Sequence, residues 1–249
     1  MSPSQTAVVE VFPAGAVPAN LLRWHLVFDR PANDVSAEAI ALLDRSGQPV
    51  RDAFVDLPEG LWDATGTRLT LLLHPGRIKS GLRSSTRFGG ALAQGGDMCL
   101  QIDLDRLLDA GLGVVNHRFV VGAAETRAVD LSLWRLGTVE TGSLAPVEIG
   151  FDRAMDHFGV MEGLAIVDAD GRALQGEMIP APDGRSALFH PSRPWAAGRQ
   201  RLMASRDLED VAGNRVDAVF EPSPDEVSTK STSNKGTASA GGAEQEHCR

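Results

Sequence analysis

The triplet Phe28-Asp29-Arg30 recurs as Phe151-Asp152-Arg153, and each copy closes a stretch with strand periodicity. Before the first triplet, Leu22, Trp24, Leu26 and Phe28 alternate with Arg23, His25 and Val27. Before the second, Val147, Ile149 and Phe151 alternate with Glu148 and Gly150. A period of two places apolar side chains on one face of a strand. Three further blocks match in the same order. Ile40-Ala41-Leu42-Leu43-Asp44 is matched by Leu164-Ala165-Ile166-Val167-Asp168, and each runs into a glycine turn, Ser46-Gly47 or Asp170-Gly171. Each turn returns through a short strand-like segment, Pro49-Val50 or Ala173-Leu174. Glycine accepts the positive φ such hairpins need. Leu71-Leu72-Leu73-His74-Pro75 is matched by Ala187-Leu188-Phe189-His190-Pro191, and Leu100 through Gly111 by Leu202 through Gly213. Four collinear matches define an internal repeat of two tandem copies.

Short alternating runs punctuated by glycine and proline predict an all-β chain of two tandem β-sandwiches. The expected domains are residues 7–123 and 129–221, joined near Gly122 to Asp130. The first copy is the longer, and its extra residues fall in an expected surface loop over 83–98 that holds Arg83, Arg87, Phe88 and two Gly-Gly pairs. Helical turns are expected at Ser36 to Ala39 and around Leu104 to Leu108. Residues 222–249 are rich in Ser, Thr, Gly, Ala, Lys and Glu. They cannot bury enough apolar surface to offset chain entropy, which predicts a disordered C-terminal tail.

Composition narrows the function classes. Aromatic residues make up 5% of the chain and tyrosine is absent, which argues against a stacking surface for single-stranded nucleic acid. The net charge of −9 disfavours contact with phosphate backbones, so no nucleic-acid partner is expected. Cys99 and Cys248 are too few and too far apart for a disulfide framework and are expected as free thiols. The first residues show neither a basic n-region nor an apolar h-region, so no signal peptide is expected in the sequence as it stands. No run reaches the length of a membrane span, and no membrane insertion is expected.

The first copy opens with Phe12-Pro13-Ala14-Gly15-Ala16-Val17-Pro18 and reaches Val27-Phe28-Asp29-Arg30-Pro31; the second closes with Asp210-Val211-Ala212-Gly213-Asn214. These segments resemble the bacterial Ig-like domains of the SbsA type. Their pattern is a proline-glycine opening, a strand ending in Phe-Ser or Phe-Asp, and an Asp-x-Ala-Gly-Asn turn near the end. Leu61-Trp62-Asp63, Arg68-Leu69-Thr70 and Pro75-Gly76-Arg77-Ile78-Lys79 look like a group of bacterial proteins that carries two such domains. The resemblance covers residues 7 to 221. It implies immunoglobulin-like sandwiches in envelope or secreted proteins, used as spacer or binding modules, and hence an extracytoplasmic location. The first copy departs from the pattern: it has Asp109-Ala110-Gly111-Leu112-Gly113 where the turn would carry asparagine.

Candidate chemistry is sparse. Arg77, Lys79, Arg83 and Arg87 form the main basic concentration and are the expected ligand-binding residues, suited to gripping carboxylates of an acidic polymer or a protein partner. His74 and His190 recur at matching positions, where a local hydrogen bond at a strand end is the simpler expectation than a metal. Asp207, Glu209, Asp210 and Asn214 gather oxygen ligands that calcium would accept, but Asp210 and Asn214 can equally hold the turn itself. Cys99 in Met98-Cys99-Leu100 is expected to pack as a small hydrophobe, and His247-Cys248 gives no preorganised metal site. No Gly-x-Ser-x-Gly, Walker loop, His-Glu-x-x-His or dinucleotide fingerprint occurs. The expectation is a non-catalytic structural or binding module without cofactor. The alternatives are a copper-binding β-sandwich using His25, His74 or His117, and then a hydrolase without a recognisable motif.

Overall fold

A computed structural model describes residues 9–32, 37–57, 60–78 and 90–216. It is mostly β, with several antiparallel sheets packed around two hydrophobic clusters. In the N-terminal unit, β1 (Val9–Phe12), β3 (Arg23–Phe28) and β5 (Arg68–Leu72) form an antiparallel sheet in the order β1-β3-β5. A second sheet has the order β2-β7-β6-β4, from β2 (Ala16–Pro18), β7 (Val114–Gly122), β6 (Asp97–Asp103) and β4 (Ile40–Leu43). β2 runs parallel to β7, and the other pairs are antiparallel.

The C-terminal unit also has two sheets. One sheet has the order β11-β12-β9-β8, from β11 (Gly176–Pro180), β12 (Ser186–Pro191), β9 (Val147–Gly150) and β8 (Arg135–Leu136). The other pairs β10 (Leu164–Val167) with β13 (Arg201–Ala204).

Period-two patterning explains the cores. Trp24, Leu26, Leu69, Leu71, Leu100 and Ile102 are buried in the first unit, and the Trp24 ring lies 5.0 Å from Phe119. Ile149, Ile166, Phe189 and Trp195 centre the second. The Trp195 indole N–H donates to the Ala145 carbonyl at 2.8 Å, so its polar edge is satisfied. The first cluster also takes in Ala154 and Val211 of the second unit, so the apolar packing runs across the boundary.

Several expectations are refined. The helical turns fall at Ala37–Ala39 and in α2 (Leu104–Leu107), with α1 (Pro75–Ile78) between them in the chain. The returning segments at Pro49 and Ala173 make single bridges, to Leu43 and Val167, instead of strands. Asp97 and Met98, expected in the long loop, open β6, and residues 83–89 of that loop lie outside the described residues. Cys99 does not pack in the core: in β6 Met98 and Leu100 point inward, and Cys99 is half-buried on the opposite face beside Asn116. The tail at 222–249 lies outside the described residues. A helix with no counterpart in the expectations, α3 (His157–Gly163), leads from the second triplet into β10.

Candidate functional site: the junction between the units

The densest polar constellation among the described residues lies where the two units meet. Asp156 caps α3, and its Oδ1 accepts from the Gly159 N–H at 2.8 Å. Its Oδ2 faces the outer side of β3 in the other unit. There it accepts from Arg23 Nε at 2.9 Å and meets His25 Nε2 at 3.0 Å. Arg23 Nη2 donates to Glu209 Oε2 at 2.8 Å, and Glu209 Oε1 also accepts from Arg215. His25 Nδ1 lies 3.1 Å from Thr70 Oγ1 on β5. Strand alternation put Arg23, His25 and Thr70 on the polar face of their sheet, and the second unit covers that face.

Burial alone would raise the Asp156 carboxyl, but the His25 hydrogen bond, the Arg23 charge and the Gly159 N–H outweigh it. Together they hold it well below the usual carboxylate range. Aromatic contacts close the region. His157 stacks on Phe12 with ring centres 3.7 Å apart, Phe158 meets His25 edge-on at 5.0 Å, and Arg68 sits 4.1 Å over the Phe158 ring. Burial first, and the neighbouring His25 second, push the His157 imidazole down to about 4.

A second cluster fastens the connecting segment. The carbonyl of Glu125 accepts from the side-chain amides of both Asn20, at 2.8 Å, and Asn214, at 3.0 Å. The Glu125 N–H donates back to Asn20 Oδ1. Arg153 Nη1 donates to the Arg127 carbonyl at 2.7 Å and lies near Glu125 and Asp210. Main-chain bonds cross as well: Leu22 N–H to the Val211 carbonyl, and Ala14 N–H to the Pro182 carbonyl. A cavity of about 140 Å³ remains between Val17, Glu125, Arg153, Arg185 and Asp210.

The oxygen cluster at Asp207, Glu209, Asp210 and Asn214 therefore serves the turn and the junction. Asp210 Oδ1 accepts from the Ala212 and Asn214 N–H groups, and its Oδ2 from Asn214 Nδ2. Among the described residues, no group of three or more His, Cys, Asp or Glu is placed to hold a metal ion. His74 Nδ1 accepts from the Gly76 N–H at 3.1 Å, the local bond expected at a strand end. His190 faces solvent opposite Glu177. His117 is half-buried, and burial lowers its imidazole. Of the expected ligand-binding residues, Arg77 is buried in α1, while Lys79, Arg83 and Arg87 lie outside the described residues. Sequence reading passed over the junction. Two segments singled out in the sequence, the second Asp-Arg pair Asp152-Arg153 and the Asp-x-Ala-Gly-Asn turn at 210–214, are junction residues.

A scan of protein-family models and a search of curated proteins find no match. Among solved structures the chain is similar to surface layer protein SbsC domains 1–6, at 10% identity and a TM-score of 0.31, over 85% of this chain and 33% of that one. It is similar to the S-layer protein rSbsC(31-844) at 11% identity and a TM-score of 0.29, over 84% and 33%. It is similar to the N-terminal four Ig domains of Dscam1 isoform 8.4 at 14% identity and a TM-score of 0.24, over 98% and 56%. The chain spans about a third of the length of the two surface-layer proteins.

Proposed function

We propose that the chain is a non-catalytic structural module of a bacterial envelope or secreted protein, made of two copies of one sandwich unit set as a rigid spacer. The observation that carries this reading is the junction. Arg23, His25, Asp156 and Glu209 form a partly buried charged network across the boundary, and Asn20 and Asn214 grip the connecting segment from both sides. Flexibly linked domains have small, polar, loosely paired contacts. Here the apolar cluster is shared, and the charged groups are paired where solvent is largely excluded. The two copies keep their Phe-Asp-Arg triplets at equivalent strand ends, which supports the repeat.

Thr70, His25 and Asp156 line up in the order of a hydrolytic relay. However, the His25 residue is only 8% exposed, its ring lies under Phe158, and Asp156 is shared with Arg23, which favours a packed hydrogen-bond chain over a site open to substrate. Ligand contact through Arg77, Lys79, Arg83 and Arg87 belongs to the same proposal. It is tested by replacing Arg83 and Arg87 with glutamate and following binding to polyglutamate.

Small-angle X-ray scattering of the full chain tests the spacer reading. The expected profile fits a single arrangement of the units, unchanged between low and high salt. A profile that needs a broad spread of inter-unit distances would overturn it. A panel of hydrolase substrates should show no turnover above the Asp156→Asn variant.

A further inference from the structure

The outer face of the β2-β7-β6-β4 sheet carries side chains that neither the core nor the junction uses. Strand alternation turns Leu42, Leu100 and Phe119 inward. On the opposite face it leaves the row Leu43–Cys99–Arg118 across β4, β6 and β7. The neighbouring row on one side is Asp97–Val120–Ala16, and on the other Ala41–Gln101–Asn116. A trough of about 710 Å³ lies on this face, bordered by the turn at 44–47 on the β4 side and by Gly15 and Ala16 on the β2 side. That volume is within the range of ligand pockets.

The borders and the floor are held in place. Asp44 Oδ1 accepts from the Ser46 N–H, the Ser46 hydroxyl and the Gln48 N–H, which fixes the turn that presents Arg45. The Ala14 N–H donates across the junction to the Pro182 carbonyl at 2.8 Å and tethers the chain just before Gly15. On the floor, Asn116 Oδ1 accepts from Gln101 Nε2 at 3.2 Å and from the Cys99 thiol at 3.7 Å. This orients the amide and leaves Asn116 Nδ2 as a donor without a protein acceptor among the described residues.

The charges that line the trough sum to zero: Arg45 and Arg118 stand against Asp44 and Asp97. Asp44 is committed to its turn. Arg45, Arg118 and Asp97 make no ion pair or side-chain hydrogen bond among the described residues. Asp97 and Arg118 are diagonal neighbours on β6 and β7, which sets their backbone positions about 7–8 Å apart. A ligand of a single sign would meet a like charge here. A ligand of both signs meets a partner for each. The ends of a dipeptide suit this spacing, since its Cα atoms are about 3.8 Å apart and a charged group extends beyond each.

We propose that this trough binds a short peptide with both termini free, its carboxylate held by Arg118 and Asn116, its ammonium by Asp97, and its side chains over Cys99 and Leu43. The spacer reading does not depend on this site.

Cys99 on the floor reports occupancy. Burial pushes its thiol up and the Arg118 charge opposes that, so a carboxylate that neutralises Arg118 while the peptide covers the floor should slow alkylation. The test measures the rate at which N-ethylmaleimide modifies Cys99 in the full chain carrying Cys248→Ser, with rising leucyl-alanine. Saturable protection is expected, and the N-acetylated and C-amidated forms of the dipeptide should each bind about tenfold more weakly, the equivalent of one lost charge contact. Arg118→Gln should abolish the preference over the amide and keep the preference over the acetylated form. Asp97→Asn should do the reverse. Both positions are exposed, so both variants should keep the wild-type melting temperature. Because Arg118→Gln itself alters the thiol, calorimetric titration with the same three dipeptides reads the preferences independently. No saturable protection by leucyl-alanine up to its solubility would overturn the proposal, as would equal binding of the three forms or variants that leave both preferences unchanged.

Discussion

Asp156 concentrates the electrostatics of the junction in one carboxylate. It satisfies a helix N-terminus in its own unit and an arginine and a histidine in the other. Removing one partner of a largely buried charged group leaves the rest uncompensated. Asp156→Ala should therefore destabilise the chain by about 3–5 kcal/mol in urea denaturation. Adding Arg23→Ala to it should cost less than Arg23→Ala does alone, because the two act on one interaction. His157 sets a pH dependence. Its imidazole lies near 4 in the folded chain against an ordinary value of 6.5, so the unfolded chain binds a proton that the folded chain excludes. Its contribution is complete above 6.5, declines as pH falls from there to about 4, and is fully lost below. The depressed Asp156 carboxyl acts in the same direction at lower pH: its contribution is present above 3.8 and is lost as pH falls below that value, so it adds to the acid destabilisation beneath the His157 range. Melting temperatures between these limits should fall with acidity, and less steeply in His157→Leu. Some slope should remain, since burial lowers His117 in the same direction.

The elements were legible where a side chain's fate depends on its own strand. Trp24, Leu26 and Phe28 are buried as their alternation requires, and the glycine turns after β4 and β10 fall where expected. Asp44 and Asp168 also accept main-chain N–H groups within those turns. Helix α3 was not legible: it is seven residues long, contains Gly159 and Gly163, and is held by packing and by its Asp156 cap more than by propensity. The junction was not legible either, because His25 meets Asp156 from 131 positions away, and no local period encodes that pairing. The polar side of β3 looked like a solvated face until a second unit covered it. The edge strand β11 carries its own requirement. A Cβ on Gly176 would collide with both the His190 carbonyl oxygen and the Phe189 ring. Gly176→Ala should cost about 1–3 kcal/mol through forced movement of β12, read from the shift in denaturation midpoint at unchanged slope.

At the scale of the whole molecule, the chain carries two hydrophobic clusters, and the order of four short sequence blocks does not say how firmly the parts around them are joined. That depends on which ends face one another, a property of the assembled fold. With apolar packing and ion pairs crossing the boundary, the units should unfold as one: calorimetry of the wild type should give a single transition. Asp156→Ala should broaden or split it as coupling is lost. The clasp on Glu125 carries a further consequence. A protease cuts a chain only after a segment of it has come away into an extended conformation, and segments between domains are ordinarily the first to be nicked. Here the carbonyl at the midpoint of the connection is held by Asn20 and Asn214 at once, so cleavage beside Arg127 must wait until the units part. Trypsin nicking at that bond thus becomes a clock for undocking: slow in the wild type, and accelerated by Asn214→Ala in proportion to the population it releases.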